Sequence, residues 1–259
     1  MAEVGLVRIL VTGGTGQLGR VVTERLRAAG EEVRVLSRRP GPDVVPGDLR
    51  TGRGVDSALA GVDTVVHCAT DFRHETALAR TLVEAARWTG GPHLVHVSIV
   101  GVDRVPLGYY KSKFETENLI AASGLPYTIQ RATQFHALVR TLFAGASRLP
   151  VLPVPRVRFQ PVDVRDVAPR LAELATGDPA GRVDDFGGPE ILAAAELAQA
   201  VAEASGRRRK IVSVKVPGET FRAYADGGHL TPHHLDGRIT FAQYLSEQAD
   251  VGVLGYRKR

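Results

Sequence analysis

The sequence of 259 residues holds a single cysteine, Cys68. One thiol cannot close an internal disulfide, so neither a disulfide framework nor an oxidising compartment is indicated. Long apolar runs are also missing: no stretch approaches the roughly 20 residues that cross a bilayer, and no membrane partner is expected. Glu3 stands where a secretory leader needs positive charge, and Arg8 interrupts the apolar run that follows. The expected location is cytoplasmic. There is no G-x-S-x-G elbow, no phosphate-loop lysine, no internal repeat and no low-complexity tract. Metal ligands are sparse too. His93 and His96 sit three apart on one strand and so face opposite sides. His229, His233 and His234 flank Thr231-Pro232 without a cysteine beside them, so no metal site is expected, and these histidines read as lining or covering a pocket.

The formal net charge is +5, and nearly all of the 33 basic residues are arginine. The charges are scattered, apart from Arg207-Arg208-Arg209-Lys210 and Arg257-Lys258-Arg259. This pattern suits a solvated surface and an anionic cofactor rather than a nucleic-acid face. Hydrophobic residues make up 44% of the chain, enough for a sizeable core.

Short apolar runs at 7–11, 33–36, about 44–48, 64–68, 93–100 and 127–130 read as strands. Helical spacing separates them at 17–30, 74–89 and 109–123. Strands alternating with helices at this interval predict βαβ units: a Rossmann-type, doubly wound parallel α/β sheet. After about residue 135, Pro150, Pro153, Pro155 and Pro161 predict extended rather than helical chain. Asp166 is expected to cap a helix running to Thr176. An edge strand and turn at 186–190, a helix at 191–205, a strand at 211–216 and two weaker helical patches complete the reading. The division expected is a nucleotide-binding domain at 1–135 plus about 158–180. A small C-terminal substrate lobe, at about 136–157 and 181–259, is integrated with it.

The most informative segment is Thr12-Gly13-Gly14-Thr15-Gly16-Gln17-Leu18-Gly19, directly after a strand and directly before a helix. Gly13 permits the tight turn, Gly16 lets a diphosphate approach the backbone, and Gly19 lets the helix pack close to the sheet. The free N–H groups and the helix dipole favour the phosphate charge. Gly13, Thr15, Gly16, Gln17, Leu18 and Gly19 are therefore candidate dinucleotide contacts. An acidic residue ending the second strand would hold the ribose hydroxyl of NAD. Ser37-Arg38-Arg39 stands there instead, with no acid before Asp43. Arginine clamps a 2′-phosphate, so the cofactor expected is NADP(H).

Thr12-Gly13-x-x-Gly16-x-x-Gly19 resembles the fingerprint of the short-chain dehydrogenase/reductase superfamily, in its extended and atypical branches. Four further pieces are similar, in order: Gly47-Asp48-Leu49, His67-Cys68-Ala69-Thr70, Tyr109-Tyr110-Lys111-Ser112-Lys113 and the run 162–168. Residues 115–128 followed by Arg131 resemble the NmrA-like NAD(P)-binding group, which includes small NADPH-dependent quinone and dye reductases. The likeness covers most of 7–205. It implies that Asp48 and Leu49 contact the adenine, that Cys68, Ala69 and Thr70 line the cofactor, and that Lys113 holds the nicotinamide ribose.

Tyr109 and Lys113 are four apart and share one helix face. An ammonium beside a phenol favours the phenolate. The tyrosine could then give a proton to a carbonyl oxygen as hydride arrives. Tyr110 is the competitor for that role. The third family residue is a hydroxyl, for which only Ser98 is available. The family serine aligns one or two positions later, on Ile99 or Val100, so Ser98 either completes the set or is a strand-end serine. Ligands bind outside the carboxyl ends of such strands. This puts Phe72, Tyr109, Phe135 and His136 at the substrate pocket. The function expected is an NADPH-dependent oxidoreductase passing hydride to a quinone, enone or ketone. Its alternatives are a non-catalytic NADP(H)-sensing regulator and a nucleotide-sugar epimerase or dehydratase, which usually needs a larger C-terminal lobe. A small-molecule substrate is the expected partner, and a homodimer is left open.

Overall fold

A computed structural model describes residues 6–39, 41, 43–145, 151–206 and 209–248. Glu3, Pro150, Arg207, Arg208 and the basic tail 257–259 lie outside the described residues. The chain runs β1 (Arg8–Thr12), α1 (Gln17–Ala28), β2 (Glu32–Ser37), β3 (Val44–Pro46), α2 (Val55–Leu59), β4 (Thr64–His67) and α3 (Glu75–Trp88). It continues through β5 (His93–Ile99), α4 (Gly108–Ala121), β6 (Tyr127–Ala132), α5 (His136–Gly145), β7 (Val151–Pro155), β8 (Arg158–Phe159) and α6 (Val164–Thr176). β9 (Gly181–Arg182), β10 (Leu192–Ala193), α7 (Ala194–Ala204), β11 (Lys210–Val214), α8 (Glu219–Ala225) and α9 (Phe241–Ser246) follow. The chain forms two compact units. One comprises 1–98, 108–131 and 167–184; the other comprises 99–107, 132–166 and 185–259.

The first unit is built on a seven-stranded sheet in the order β3-β2-β1-β4-β5-β6-β9, with β1 parallel to both β2 and β4. This is the Rossmann arrangement, with the first strand central and the chain crossing over to β4. Ile9, Leu10 and Val11 are fully buried, which explains why the middle of β1 is three successive apolar residues rather than an alternation. In α1, Leu18, Val22 and Leu26 recur every four residues as a buried stripe. Gly30, at φ 92°, closes that helix in the left-handed conformation that glycine adopts without strain. Leu10, Leu36, Leu59, Val65, Leu82 and Leu94 belong to one core cluster.

A buried ion pair ties α4 to β6. Arg131 Nε donates to Glu117 Oε1 at 2.9 Å and Nη2 donates to Oε2 at 2.7 Å. The two side chains are 4% and 6% exposed.

The second unit has two small sheets, β8 with β10 antiparallel and β7 with β11 parallel. Val139, Leu152, Val154, Leu197, Val201 and Phe241 share its core. Gln160 clamps its loops: Nε2 donates to the carbonyls of Gly188, Thr231 and His234, and Oε1 accepts from Thr231 N. His136 packs against Phe241 and Tyr244, with Nε2 2.9 Å from Ile239 O. His229 lies 2.7 Å from Arg158 O.

Three expectations are corrected. The stretch after 135 is extended only among its prolines, in β7 and β8: α5 before them is helical because Ala137, Val139, Arg140 and Phe143 repeat at helical spacing on a buried face. Asp166 does not cap α6. It lies in the first turn, and Oδ2 accepts from Arg238 N and Ile239 N. α2 was not foreseen, because five residues are too few to display a period.

Replacing Glu117 by Gln takes the counter-charge from a buried guanidinium and is expected to cost about 3–5 kcal/mol in urea unfolding. The Glu117→Leu/Arg131→Met double variant recovers most of that loss.

Candidate functional site

The turn from β1 to α1 is shaped by contacts of its own backbone. Gly13 has φ 68°, and a Cβ there would stand 2.6 Å from Ala69 N. A Cβ on Gly19 would stand 2.2 Å from Gly13 O. Both glycines are therefore demanded by packing. Gly16 is different: its Cβ would meet nothing nearer than Gly13 O at 3.1 Å. Thr15, Gly16 and Gln17 are exposed. Gly16 is also the N-cap of α1, no side chain caps the helix, and its first turn holds no acid. The first N–H groups of an α-helix have no intrahelical acceptor. An exposed helix start of this kind, free of side chains and of negative charge, fits a diphosphate. Leu18 and Gly19 face inward, so only their backbones are available to a ligand.

Around this turn stand the other candidate cofactor residues. Arg38 and Arg39 follow the end of β2 and are exposed, and Ser37 Oγ accepts from Arg39 N at 3.2 Å. Asp48 Oδ1 accepts from Arg50 N at 2.9 Å, while the Leu49 side chain packs into the core. Cys68, Ala69 and Thr70 follow β4, with Cys68 N donating to Thr12 O at 3.1 Å. The Cys68 residue is half-buried, and burial pushes its thiol up to about 12. It is a protonated, unreactive wall rather than a nucleophile.

Lys113 is buried, with its Nζ 2.6 Å from Glu75 Oε1 and donating to Val97 O at 3.2 Å. Glu75 Oε2 accepts from Thr70 Oγ1 at 2.7 Å and from Asp71 N at 3.0 Å. Thr70 Oγ1 lies 2.6 Å from the Tyr109 hydroxyl. The Phe72 ring tilts against Tyr109 with centroids 4.4 Å apart. Burial works to raise the Glu75 carboxyl, but the Lys113 charge and contact, together with the Thr70 hydrogen bond, outweigh it and hold it below the usual range. Tyr110 is buried, whereas Tyr109 is half-buried. Ser98 is 3% exposed, and its Oγ finds no hydrogen-bond partner among the described residues. Phe135, half-buried, and His136, buried, belong to the second unit.

Beneath Lys113 lies a pair that the sequence did not single out. His67 and His96 stack with ring centroids 5.3 Å apart, and His67 Nδ1 is 2.7 Å from Thr12 Oγ1. Burial pushes His67 down to about 4 and His96 well below the ordinary range, with the Lys113 charge adding to the effect. Both are neutral at physiological pH. Glu75 was also missed, because a glutamate in the first turn of a helix reads as ordinary dipole compensation. The spacing from Thr70 to Glu75 was the only local signal. Among the described residues, no helix is long and apolar enough to cross a membrane.

The two histidines set a pH dependence. An unfolded histidine takes up a proton near pH 6.5, whereas folded His67 refuses it down to about 4. Stability is therefore complete above pH 6.5 and falls as the pH drops toward 4, by roughly 1 kcal/mol per pH unit for each histidine. Urea unfolding at a series of pH values should show this slope, and His67→Asn should flatten it. At the turn, Gly16→Val is expected to leave the melting temperature within a few degrees and weaken dinucleotide binding at least about tenfold. Gly19→Ala, by contrast, should lower the melting temperature itself.

A family model described as NAD(P)H-binding matches residues 13–141. The (4-alkanoyl-5-oxo-2,5-dihydrofuran-3-yl)methyl phosphate reductase of Streptomyces griseus is 32% identical over 216 residues, spanning 77% of this chain and 74% of the reductase. The NAD(P)H azoreductase of Xenophilus azovorans is 28% identical, over 80% of this chain and 77% of its own length. Among solved structures, the NADPH complex of the Escherichia coli NADPH-dependent quinone oxidoreductase superposes with a TM-score of 0.78 at 20% identity. That match covers 92% of this chain and 98% of that one. With its central-strand turn, its sheet order and a relative of this identity and coverage, the chain belongs to the NAD(P)H-binding, NmrA-like group of the extended short-chain dehydrogenase/reductase superfamily.

Proposed function

We propose that this protein is an NADPH-dependent oxidoreductase that passes hydride to a small organic acceptor, such as a quinone, enone or ketone. The observation that carries the proposal is the uncapped, acid-free start of α1 at Gly16, in the same unit as the Tyr109, Thr70, Glu75 and Lys113 cluster. The relatives named as reductases support it: one acts on an alkanoyl-oxo-dihydrofuran phosphate, one is an azoreductase and one a quinone oxidoreductase. Bound NADPH supplies the hydride.

The chain's own residues do the rest. The turn Gly13, Thr15, Gly16, Gln17, Leu18 and Gly19 cradles the diphosphate, with backbone donors from the first turn of α1 beyond Gly16, whose own N–H is donated to Gly13 O, and Ser37, Arg38 and Arg39 hold the 2′-phosphate. Asp48 and Leu49 border the adenine; Cys68, Ala69 and Thr70 line the cofactor. Lys113 supplies positive charge on the nicotinamide side. Tyr109 gives a proton to the acceptor oxygen, and the buried Ser98 is the third candidate for the same constellation. Phe72 is the apolar wall against Tyr109. The same reading places the protein in the cytoplasm, with a small molecule as its partner and a homodimer left open as its assembly.

Fluorescence titration should show NADPH binding at least about tenfold more tightly than NADH, and the Arg38→Ala/Arg39→Ala variant should lose that preference. NADPH absorbance across a quinone, enone and ketone panel should fall with at least one acceptor. Tyr109→Phe should lower kcat about 100-fold. Tight binding with no consumption on any acceptor would overturn the oxidoreductase reading in favour of an NADP(H) sensor.

A further inference from the structure

We infer that Glu75 is the positioning residue of this site: one carboxylate oxygen holds the Lys113 ammonium, and the other, through Thr70, aims the Tyr109 hydroxyl with its proton in place. The inference rests on the proposed reductase reading and adds to it a residue that the Tyr-x-x-x-Lys pattern does not contain.

The argument is a count of protons along a chain of contacts. Glu75 is 2% exposed and ionised, so it can only accept hydrogen bonds. Thr70 therefore donates to Glu75 Oε2, at 2.7 Å. A hydroxyl carries a single proton, and that of Thr70 is committed to the carboxylate. The 2.6 Å contact between Thr70 Oγ1 and the Tyr109 hydroxyl must then be donated by Tyr109. The phenol thus rests as a neutral hydrogen-bond donor, the state required of a group that gives a proton. At the other end, Glu75 Oε1 lies 2.6 Å from Lys113 Nζ, so the ammonium is offset by a charge of opposite sign before it can act on the phenol. The sequence alone suggested that Lys113 would draw Tyr109 toward phenolate. A phenolate suits removal of a proton from an alcohol; a phenol suits delivery of one during reduction. Glu75 biases the site toward reduction.

The histidines and the thiol packed around this pair carry no charge near neutrality. His67 from β4 and His96 from β5 are held neutral by burial, and the Cys68 thiol stays protonated. Asp71 faces His74 and the Arg50 charge, and its backbone N–H is what points at Glu75. Lys113 and Glu75 are the two charges at the centre.

Nuclear magnetic resonance tests this without needing turnover. The chain has five lysines and six tyrosines, few enough to resolve. With ¹⁵N-lysine labelling and Lys113→Arg for assignment, Glu75→Gln should lower the Lys113 titration midpoint by about 1 pH unit or more, and Glu75→Asp should restore part of it. With ¹³Cζ-tyrosine labelling and Tyr109→Phe for assignment, Thr70→Val should lower the Tyr109 midpoint. This variant removes a partner that stabilises the neutral phenol. In the acceptor assay, both variants should lose at least about tenfold in kcat, and the alkaline limb of the pH profile should move to lower pH. Unmoved Lys113 and Tyr109 midpoints in folded variants overturn the inference. Should Glu75→Gln fail to fold, the Thr70→Val midpoint decides. A wild-type protein that consumes no NADPH refutes the reductase reading separately, since the resonance titrations still report whether Glu75 and Thr70 organise the pair.

Discussion

A methyl group on Gly19 would press to within 2.2 Å of the Gly13 carbonyl oxygen, and one on Gly13 to within 2.6 Å of Ala69 N. That closeness of backbone to backbone is the constraint on which the nucleotide-binding unit depends. It sets the start of α1 directly on the end of β1 and beside the chain leaving β4. Because the helix begins at a glycine with no capping side chain, its first donors stay available to an anion. Thr12 reinforces the geometry from below, reaching His67 at 2.7 Å across the two neighbouring strands.

The segment that leaves β4 then brings most of the candidate site residues together. Within eight positions of one another come Cys68, Ala69, Thr70, Asp71, Phe72 and Glu75, and each is used differently. Cys68 is neutralised by burial, Phe72 packs on Tyr109, and Thr70 connects a carboxylate to a phenol. A buried lysine and a buried glutamate are a costly pair to maintain. Removing each ion from water costs several kcal/mol, and an apolar pair of the same volume would usually be no less stable. Here the pair is supported from both sides, Lys113 donating to Val97 O and Glu75 accepting from Asp71 N. The Glu117–Arg131 pair, tying α4 to β6, is the structural counterpart in the same unit.

Much of the fold was legible in the sequence because its signals are local and repeated. The first strand carries three successive apolar residues, Ile9 to Val11, because its middle is buried on both faces, and α1 shows its stripe at Leu18, Val22 and Leu26. The glycine turn was legible for the same reason, as was the absence of an acid near Arg38 and Arg39. Legibility fell where signals were short or distant. α2 has too few residues to show a period. α5 was hidden by prolines that belong to the strand after it, and Asp166 looked like a cap although its carboxylate serves Arg238 N and Ile239 N, more than seventy residues away.

The sequence by itself determined the sheet, the glycine turn at the head of α1, the lack of an acid beside Arg38 and Arg39 and the placing of Tyr109 and Lys113 four apart on one helix. These depend on spacing within a strand, a turn or a helix, and spacing is written in the chain. Only the tertiary structure decided what Lys113 meets. Glu75 lies 38 positions earlier on another helix, and the crossover from β4 through α3 to α4 brings the two side chains to 2.6 Å. That contact sets a carboxylate directly against the Lys113 ammonium. Long-range proximity in a medium of low dielectric sets the charge at the site, and no periodicity in the chain encodes it.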